Sequence, residues 1–249
     1  MIILKNAHQL KKMREAGRIS QLALLEGGKH VAPGITTEEL DHIMHEFIVK
    51  AGAKPSFLGY GGFPATACIS VNNEVIHGIP DRKHKIQNGD IVSIDVGAIY
   101  DGFNGDNAWT FAAGTVSAQA QALMDATRDG LFEGIKAARP GNRVGDIGHA
   151  VQTYVEALGY SVVRPFVGHG VGEDMHEEPD VPNYGRVGHG ARLVPGMVIA
   201  IEPMINQGAK EVQTMPNGWT VTTMDGSLSA HFEHTVAITE DGPVILTAP

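Results

Sequence analysis

The segment DIVSIDVGAIYDGFNGDNAWTFAAG, from residue 90 to residue 114, carries the pattern on which the predicted architecture depends. It predicts two β-strands joined by a Gly-rich turn, with Asp95 in the first strand and Asp106 in the second. The first strand is almost continuously apolar, which is typical of a strand covered by protein on both faces. A carboxylate buried there needs a compensating cation or hydrogen bonds. We expect the two acids to share a metal ion, with a salt bridge or a turn-forming role as the alternative.

Size and composition exclude several classes of protein. The chain of 249 residues has 19 basic and 28 acidic residues, and its net charge of −9 opposes binding to phosphate backbones, so no nucleic-acid role is expected. A single cysteine, Cys68, excludes an internal disulfide and suits a reducing cytoplasm. No signal peptide or membrane-spanning apolar run is recognised, and no linker divides the chain. We expect one cytoplasmic domain, residues 1–249, with no membrane association.

Helical periodicity predicts four helices, two before the acidic hairpin and two after it. Thr36 or Thr37 is expected to cap the second helix, and Gly52 is expected to end it. The predicted helical segments are residues 7–28, 36–52, 117–138 and 139–159.

The order of elements recurs at an offset of 107 residues. Pro33-Gly34 then falls on Pro140-Gly141, and the strand IVSIDV falls on VIAIEP, which places Glu202 on Asp95. A repeat of this length indicates a duplicated ααββ half-domain and not a solenoid. The predicted halves are residues 1–115 and 116–249, related by a pseudo-two-fold axis.

Glu202 and Glu233 lie in two further apolar strands, and no lysine or arginine lies inside these strands to pair with the acids. The segment GHGVGEDMHEEP supplies His169, whose flanking glycines are expected to let the backbone approach a ligand, and His176. Carboxylates with one imidazole suit two divalent transition ions. His77 is interpreted as a substrate contact, with a structural role as the alternative.

Two histidines, His231 and His234, flank Glu233 in the sequence. On the alternation of side chains along a strand, both are expected to point away from Glu233, and a supporting role beside the metal ligands is the alternative for either.

The motifs IDVGAIYDGFNGD, GHGVGEDMHEEP, IEPM and FEHT resemble, in order and spacing, those of the type I methionine aminopeptidases of the short bacterial subtype. The resemblance covers nearly the whole chain. It implies an α+β pita-bread fold, in which duplicated halves form a central curved antiparallel sheet with helices on the outside. It also implies two divalent ions per chain, drawn from Co, Mn, Fe or Zn, which the sequence does not distinguish.

The resemblance also implies roles for particular residues. The metal ligands are Asp95, Asp106, His169, Glu202 and Glu233. Glu202 acts as the proton shuttle, His176 stabilises the tetrahedral intermediate and His77 contacts the substrate. The methionine pocket consists of Tyr60, Phe63, Cys68 and Trp219, with Met175 at its edge.

The implied activity is removal of the N-terminal methionine from nascent polypeptides whose second residue is small. The expected partners are these polypeptides and, with them, the ribosome, and the protein is expected to be a monomer. Because Ile2 is bulky, mass spectrometry should find Met1 retained. One alternative is a prolidase or aminopeptidase P, although these usually carry a large N-terminal domain that we do not expect here. The other is a catalytically silent pita-bread module that binds peptides or ribosomes, although such modules lose ligands.

Overall fold

The computed structural model of the protein describes residues 1–248. Within them it has four α-helices, as the periodicity predicts. They are α1 (Ala7–Lys29), α2 (Thr37–Lys50), α3 (Ala118–Ala137) and α4 (Val144–Ala157). The fourth helix begins later than its predicted segment, because Gly141 adopts a positive φ of 93° that a continuing helix does not allow.

Side-chain caps determine where the helices of the first half begin. Asn6 accepts hydrogen bonds from the backbone N–H groups of His8 and Gln9 at the start of α1. Thr36, and not Thr37, caps α2: its Oγ1 accepts from the N–H of Glu39, whose carboxylate accepts from the N–H of Thr36. These bonds satisfy backbone donors that have no partner within the helix.

The strands follow in a regular order, and every strand pairing in the described chain is antiparallel. In the first half they are β1 (Lys54–Pro55), β2 (Ala67–Val71), β3 (Glu74–Ile76), β4 (Ile91–Tyr100) and β5 (Phe103–Ala112). In the second half they are β6 (Ser161–Val162), β7 (Gly168–Gly170), β8 (Glu177–Val181), β9 (Val198–Ile201), β10 (Met204–Asn206), β11 (Val212–Thr214), β12 (Val221–Thr223), β13 (Ser229–His231), β14 (His234–Thr239) and β15 (Gly242–Ile245).

The strands form four hydrogen-bonded sheets. In the first sheet, β4 pairs with β5 along one edge and with β1 and β2 along the other. The remaining sheets have the orders β13-β10-β6, β11-β12-β3 and β15-β14-β9-β7-β8. The predicted α+β pita-bread class is confirmed. Its antiparallel strands are divided among four sheets, and the backbone bends from one sheet to another between β9 and β10 and between β13 and β14.

The hairpin of β4 and β5 turns through Asp101 and Gly102, whose φ values are 48° and 83°. Positive φ at both central residues is the signature of a type I′ turn, whose twist matches that of the flanking strands. The turn sets the register, in which Asp95 lies opposite Ala108 and Asp106 lies opposite Gly97. Because residues two apart on a strand share a face, Asp95 and Asp106 lie on the same face as diagonal neighbours.

The backbone repeats at the predicted offset of 107 residues. In the first half Lys54 pairs with Ile99, and in the second half Ser161 pairs with Asn206. The N–H of Gly34 donates to the carbonyl of Ile86, and the N–H of Gly141 donates to the carbonyl of Leu193. The isolated bridges Thr36↔Lys85 and Arg143↔Arg192 repeat in the same way. The duplicated sequence therefore folds into two halves with the same hydrogen-bond pattern.

Each helix pair covers the strands of its own half. Ile19 and Leu24 of α1 share a buried core with Leu40 of α2 and with the inner residues of β2 and β4. Leu123 of α3 shares another core with Ile147 of α4 and with residues of β9 and β10. The helices thus lie outside the strand layer, which leaves its inner surface available for a site. Among residues 1–248, no helix has the length and apolar character needed to cross a membrane.

Candidate metal centre and substrate pocket

Glu202 and Glu233 occupy breaks in their strands, whereas the sequence predicts that they lie within strands. Glu202 follows the last residue of β9, and Pro203 separates it from β10. Glu233 lies between β13 and β14. At Glu202 the backbone passes from the sheet that contains β9 and β14 to the sheet that contains β10 and β13. At Glu233 it passes back in the opposite direction. The bends direct the two glutamates toward the aspartates of the first half.

His169 lies in β7 with its imidazole in the same cluster. Its Nε2 is 3.7 Å from Oδ2 of Asp106 and 3.5 Å from Oε1 of Glu202, and its Nδ1 is 2.9 Å from the carbonyl oxygen of Gly170. Because a carbonyl can only accept, Nδ1 carries the proton and Nε2 presents a lone pair to the acids. This is the tautomer that a metal ligand requires.

The glycines beside His169 allow neighbouring strands to approach closely. A Cβ on Gly168 would lie 2.3 Å from the carbonyl oxygen of Ala200, and a Cβ on Gly170 would lie 2.4 Å from that of Glu178. The packing of the sheet therefore helps to position His169. The approach of their backbone to a ligand stays a prediction.

The four acids lie together without a lysine or arginine partner, with Asp106 and Glu233 buried and Asp95 and Glu202 partly buried. Among residues 1–248, the basic side chains within ion-pair distance of Asp106 and Glu202 are imidazoles, and no lysine or arginine pairs with any of the four acids. One carboxylate oxygen each of Asp95, Asp106 and Glu233 is buried without a hydrogen-bond partner. Buried polar atoms without partners are rare, and such atoms at one site point to an ion.

Electrostatics supports the same interpretation. Burial raises the pKa of Asp95 to about 7. Burial, and then the charge of neighbouring acids, raises the pKa values of Asp106 and Glu233 well above the ordinary range, and burial with the charge of Asp95 does the same for Glu202. Burial lowers the pKa of His169 to about 3, so its imidazole is neutral. Ionised carboxylates would be stable here only beside positive charge.

The donor atoms fit a divalent cation. One ligand atom each from Asp106, His169 and Glu233 lies within 4.8 Å of the other two, and Asp95 and Glu202 line the same cavity. Carboxylate oxygens with one imidazole nitrogen are a donor set typical of divalent transition ions. The structure thus brings together all five residues that the sequence predicts as ligands.

The cavity beside the acids has a volume of about 210 Å³ and a mainly apolar lining. It is lined by all seven residues that the sequence predicts as substrate contacts. These are Tyr60, Phe63, Cys68, His77, Met175, His176 and Trp219. Phe63 and Trp219 pack edge to face with ring centroids 5.2 Å apart, and burial raises the pKa of the Cys68 thiol well above its ordinary value. Cys68 is therefore an apolar wall and not a nucleophile.

Two histidines stand between the acids and the pocket. Nδ1 of His176 is 2.9 Å from the hydroxyl of Tyr60, and its ring centroid is 4.0 Å from that of His169. His77 adopts a φ of 56°, and its ring lies edge-on to Phe166 and Trp219. Burial lowers the pKa of both His176 and His77, the latter to about 4. Both rings are therefore neutral near pH 7.

Sequence reasoning missed several residues of the site. Phe57, Ile76, Phe166 and Val167 line the cavity, and their apolar character alone did not distinguish them from core residues. His231 was expected to point away from Glu233, with a supporting role beside the metal ligands as the alternative. Its Nε2 lies 3.7 Å from Oε2 of Glu202, and burial lowers its pKa to about 3. The alternation argument did not apply to His231, because residues two apart on a strand share a face.

His234 lies apart from the acids, as predicted. Its Nδ1 is 2.9 Å from the hydroxyl of Thr247, and its ring lies near those of Trp109 and Phe132.

Comparison with known proteins agrees with this site. The sequence profile of metallopeptidase family M24 matches residues 11–240. The chain is 53% identical over 249 residues to the methionine aminopeptidase of Clostridium acetobutylicum, and 53% identical over 247 residues to methionine aminopeptidase 1 of Bacillus subtilis. In each case the alignment covers 99% of both chains.

Solved structures extend the comparison to the fold. The crystal structure of methionine aminopeptidase from Thermotoga maritima matches with a TM-score of 0.98 and 44% identity, covering 100% of both chains. Prolidase from Pyrococcus furiosus matches with a TM-score of 0.81 and 24% identity, covering 99% of this chain and 66% of the prolidase, which shows the shared fold alone. On the match to residues 11–240 and on these identities, the chain belongs to metallopeptidase family M24.

Proposed function

We propose that the protein is a metal-dependent methionine aminopeptidase that removes the N-terminal methionine from polypeptides whose second residue is small. The observation that carries the proposal is the cluster of four buried or partly buried acids and His169 at the side of an apolar cavity, with no lysine or arginine beside the acids in the described chain. Full-length relatives with about half of their residues identical bear the same name.

Asp95, Asp106, His169, Glu202 and Glu233 would hold two divalent cations. When bound, the cations supply Lewis acidity, which lowers the pKa of water toward neutrality and polarises a carbonyl group. The identity of the ions, among Co, Mn, Fe and Zn, follows from availability as much as from the ligands.

Glu202 is the proposed proton carrier. Its side chain is close to the cavity, and it lies between the imidazoles of His169 and His231. It takes a proton from the attacking water and gives it to the leaving amine, as a general base and then a general acid. Burial and the charge of Asp95 raise its pKa, which makes its conjugate acid a competent intermediate carrier.

His176 and His77 are the proposed substrate-contacting histidines. If the Tyr60 hydroxyl donates to Nδ1 of His176, Nε2 keeps its proton and can donate to the oxyanion that develops on the scissile carbonyl. One such donor stabilises the transition state by about 3 kcal/mol. His77 lies against Phe166 and Trp219, where it can contact the bound residue.

The pocket accounts for the choice of methionine. Tyr60, Phe63, Cys68, Met175 and Trp219 surround an apolar space beside the acids. A thioether side chain is flexible and polarisable, so it packs well against aromatic rings and against Met175. With the side chain of a methionine in this apolar space, its peptide bond would face the acids and histidines that line the same cavity.

The remaining parts of the proposal concern the setting of the enzyme. Residues 1–249 act as a single catalytic domain and a monomer in the cytoplasm. Its substrates are nascent polypeptides that carry an N-terminal methionine, which places its work beside the ribosome.

Turnover of two peptides tests the proposal. With added Mn²⁺ or Co²⁺ the purified protein should release methionine from Met-Ala-Ser and leave an X-Pro peptide intact. Preferential cleavage of the X-Pro peptide would contradict the proposal in favour of a prolidase-like activity. Cleavage of neither peptide would favour the silent binding module.

A further inference from the structure

His231 is a buried histidine that the proposed mechanism does not use. It is 1% exposed, and its Nε2 has no hydrogen-bond partner. The nearest charged atom to this nitrogen is Oε2 of Glu202, at 3.7 Å. A buried ring nitrogen without a partner is costly, so its retention beside the proposed proton carrier calls for a role.

Glu202 lies between two imidazoles that present different atoms to it. His169 presents a lone pair, because its Nδ1–H is used by the carbonyl of Gly170. His169 therefore cannot donate to Glu202. A neutral His231 has one N–H, and a carboxylate can only accept. Of the two rings, only His231 can hydrogen-bond to Glu202.

The backbone of His231 is held from the other half of the molecule. Thr110 Oγ1 accepts from the N–H of His231 at 3.0 Å and donates to its carbonyl oxygen at 2.8 Å. Thr235 makes the same pair of bonds to Asp106, at 3.1 and 2.7 Å. Between these pairs, the N–H of Glu233 donates to the carbonyl of Ala108. His231 and Asp106 thus occupy equivalent positions about the pseudo-two-fold axis, each fixed by a threonine of the opposite half.

The geometry points to His231 as a positioning residue that donates a hydrogen bond from Nε2 to Oε2 of Glu202 and so orients this carboxylate for proton transfer. This inference rests on the proposed function of Glu202. The observed separation exceeds a hydrogen bond by a few tenths of an ångström, and catalytic hydrogen bonds are commonly long before substrate binds. Thr110 fixes the backbone of His231, and Glu202 follows the last residue of β9.

Two substitutions at one position test the role. His231→Leu removes the donor with little change in volume, and His231→Gln keeps an N–H donor. We expect His231→Leu to lower kcat by about 10–100-fold with little change in KM, and His231→Gln to restore kcat to within about threefold of the wild type. An unchanged kcat in His231→Leu, or equal losses in both variants, would overturn the inference.

The visible d–d spectrum of the Co²⁺-loaded protein gives a readout that does not depend on turnover. We expect the spectrum to change in His231→Leu and to return toward that of the wild type in His231→Gln, because Glu202 is a proposed ligand. Identical spectra in all three proteins would contradict a positioning role. Failure of the wild type to cleave Met-Ala-Ser would refute the proposed function and leave this spectral comparison standing.

A matched control separates positioning from general packing. His234→Gln changes another buried histidine close in sequence, whose Nδ1 partner is Thr247 and not an acid. Its kcat and Co²⁺ spectrum should stay those of the wild type even if Tm falls. If His231→Leu does not fold, Thr110→Val and Thr110→Ser replace it. The valine variant should lower kcat and the serine variant should preserve it, and equal behaviour of the two would overturn the inference.

Discussion

In the first half of the molecule β4 and β5 form one uninterrupted hairpin, whereas in the second half the equivalent strands are each broken in two. The registers match throughout. Ser93 pairs with Thr110 as Ala200 pairs with Thr235, and Ile99 pairs with Asn104 as Asn206 pairs with Ser229. The offset between the halves is therefore 107 in the first strand and 125, which is 229 less 104, in the second.

The larger offset reflects a segment that only the second half contains. The turn of Asp101 and Gly102 is replaced by residues 208–227, which include β11 and β12. This arm carries Trp219, a wall of the pocket. The strands that are present in both halves thus provide the acid cluster, and the inserted residues 208–227 provide one wall of the substrate pocket.

The acids themselves are only partly symmetric. Asp95 and Glu202 occupy equivalent positions, but Asp106 corresponds to His231 and Glu233 corresponds to Ala108. Both halves therefore have an acid at the position of Asp95 and Glu202. Asp106 and Glu233 lie at positions where the other half has a different kind of residue. Such divergence allows equivalent residues to take different roles, which mutation can test.

The largest difference is expected between Asp95 and Glu202. Glu202→Gln should lower kcat by about 10²–10⁴-fold while the protein still binds metal, because the amide cannot carry the proton. Asp95→Asn should weaken metal binding first, so that excess metal recovers part of the activity. Calorimetric titration with Mn²⁺ and steady-state kinetics would distinguish them. If excess metal restored the activity of both variants equally, the proposed difference between the roles of Asp95 and Glu202 would be wrong.

The cluster of four acids contains residues from both halves, so a metal ion bound there would link the halves. The free energy of unfolding should therefore depend on metal. Mn²⁺ at 100 times its Kd should raise the free energy of unfolding by about 2.7 kcal/mol, and chemical denaturation measures this. Asp106→Asn should remove most of the increase. A variant that retained the full increase would argue against Asp106 as a ligand.

Without metal, Asp95 should make the protein less stable as pH rises, whereas a carboxylate with a lowered pKa makes a protein more stable as pH rises. The pKa of Asp95 is raised to about 7 in the folded state, so that state binds more protons than the unfolded chain between about pH 4 and pH 7. The stability contributed by Asp95 should fall as pH rises through this window. Buried histidines with lowered pKa values, such as His169 and His231, act in the opposite direction, so a comparison with Asp95→Asn isolates the effect of the acid. In EDTA, the urea midpoint of the wild type relative to that of Asp95→Asn should be higher at pH 5 than at pH 7, and saturation with metal should abolish or reverse this difference.

The packing of helix on strand also differs between the halves. A Cβ on Gly105 would lie 2.3 Å from the backbone nitrogen of Gly17, whereas the equivalent position in the second half is already Ala230. Gly105→Ala should destabilise the protein by about 1–3 kcal/mol through overpacking. Ala230→Gly should cost about 1 kcal/mol or less. Similar losses for both would show that the close approach of α1 does not distinguish the halves.

The smallest expected difference concerns the helix caps. Thr36 caps α2 with its hydroxyl, whereas the equivalent residue, Arg143, has no side-chain acceptor and relies on Asp146 to accept from its N–H. Thr36→Ala should cost about 1 kcal/mol, and Arg143→Ala should change stability by less than about half of that. Thermal unfolding of the two variants measures the contrast, with Ser117→Ala at the cap of α3 as a positive control.

Much of this architecture could be predicted because its signals are local. The apolar periodicity of α1 and α3 and the capping threonine before α2 describe helices that the structure contains. The acids of the β4–β5 hairpin were conspicuous because few ionisable residues are found in apolar strands. The start of α4 was missed because a Pro-Gly turn before a helix resembles a helix start in composition.

Repetition and charge in apolar strands can both be recognised along a single chain, so the duplicated halves and the acids of the site could be predicted from the residues alone. The folded molecule was needed to show that strands break at Glu202 and Glu233, that Gly168 and Gly170 accommodate neighbouring strands, and that His231 lies near Glu202. These features depend on where strands pass between sheets and on distances between halves far apart in sequence, which no local pattern encodes.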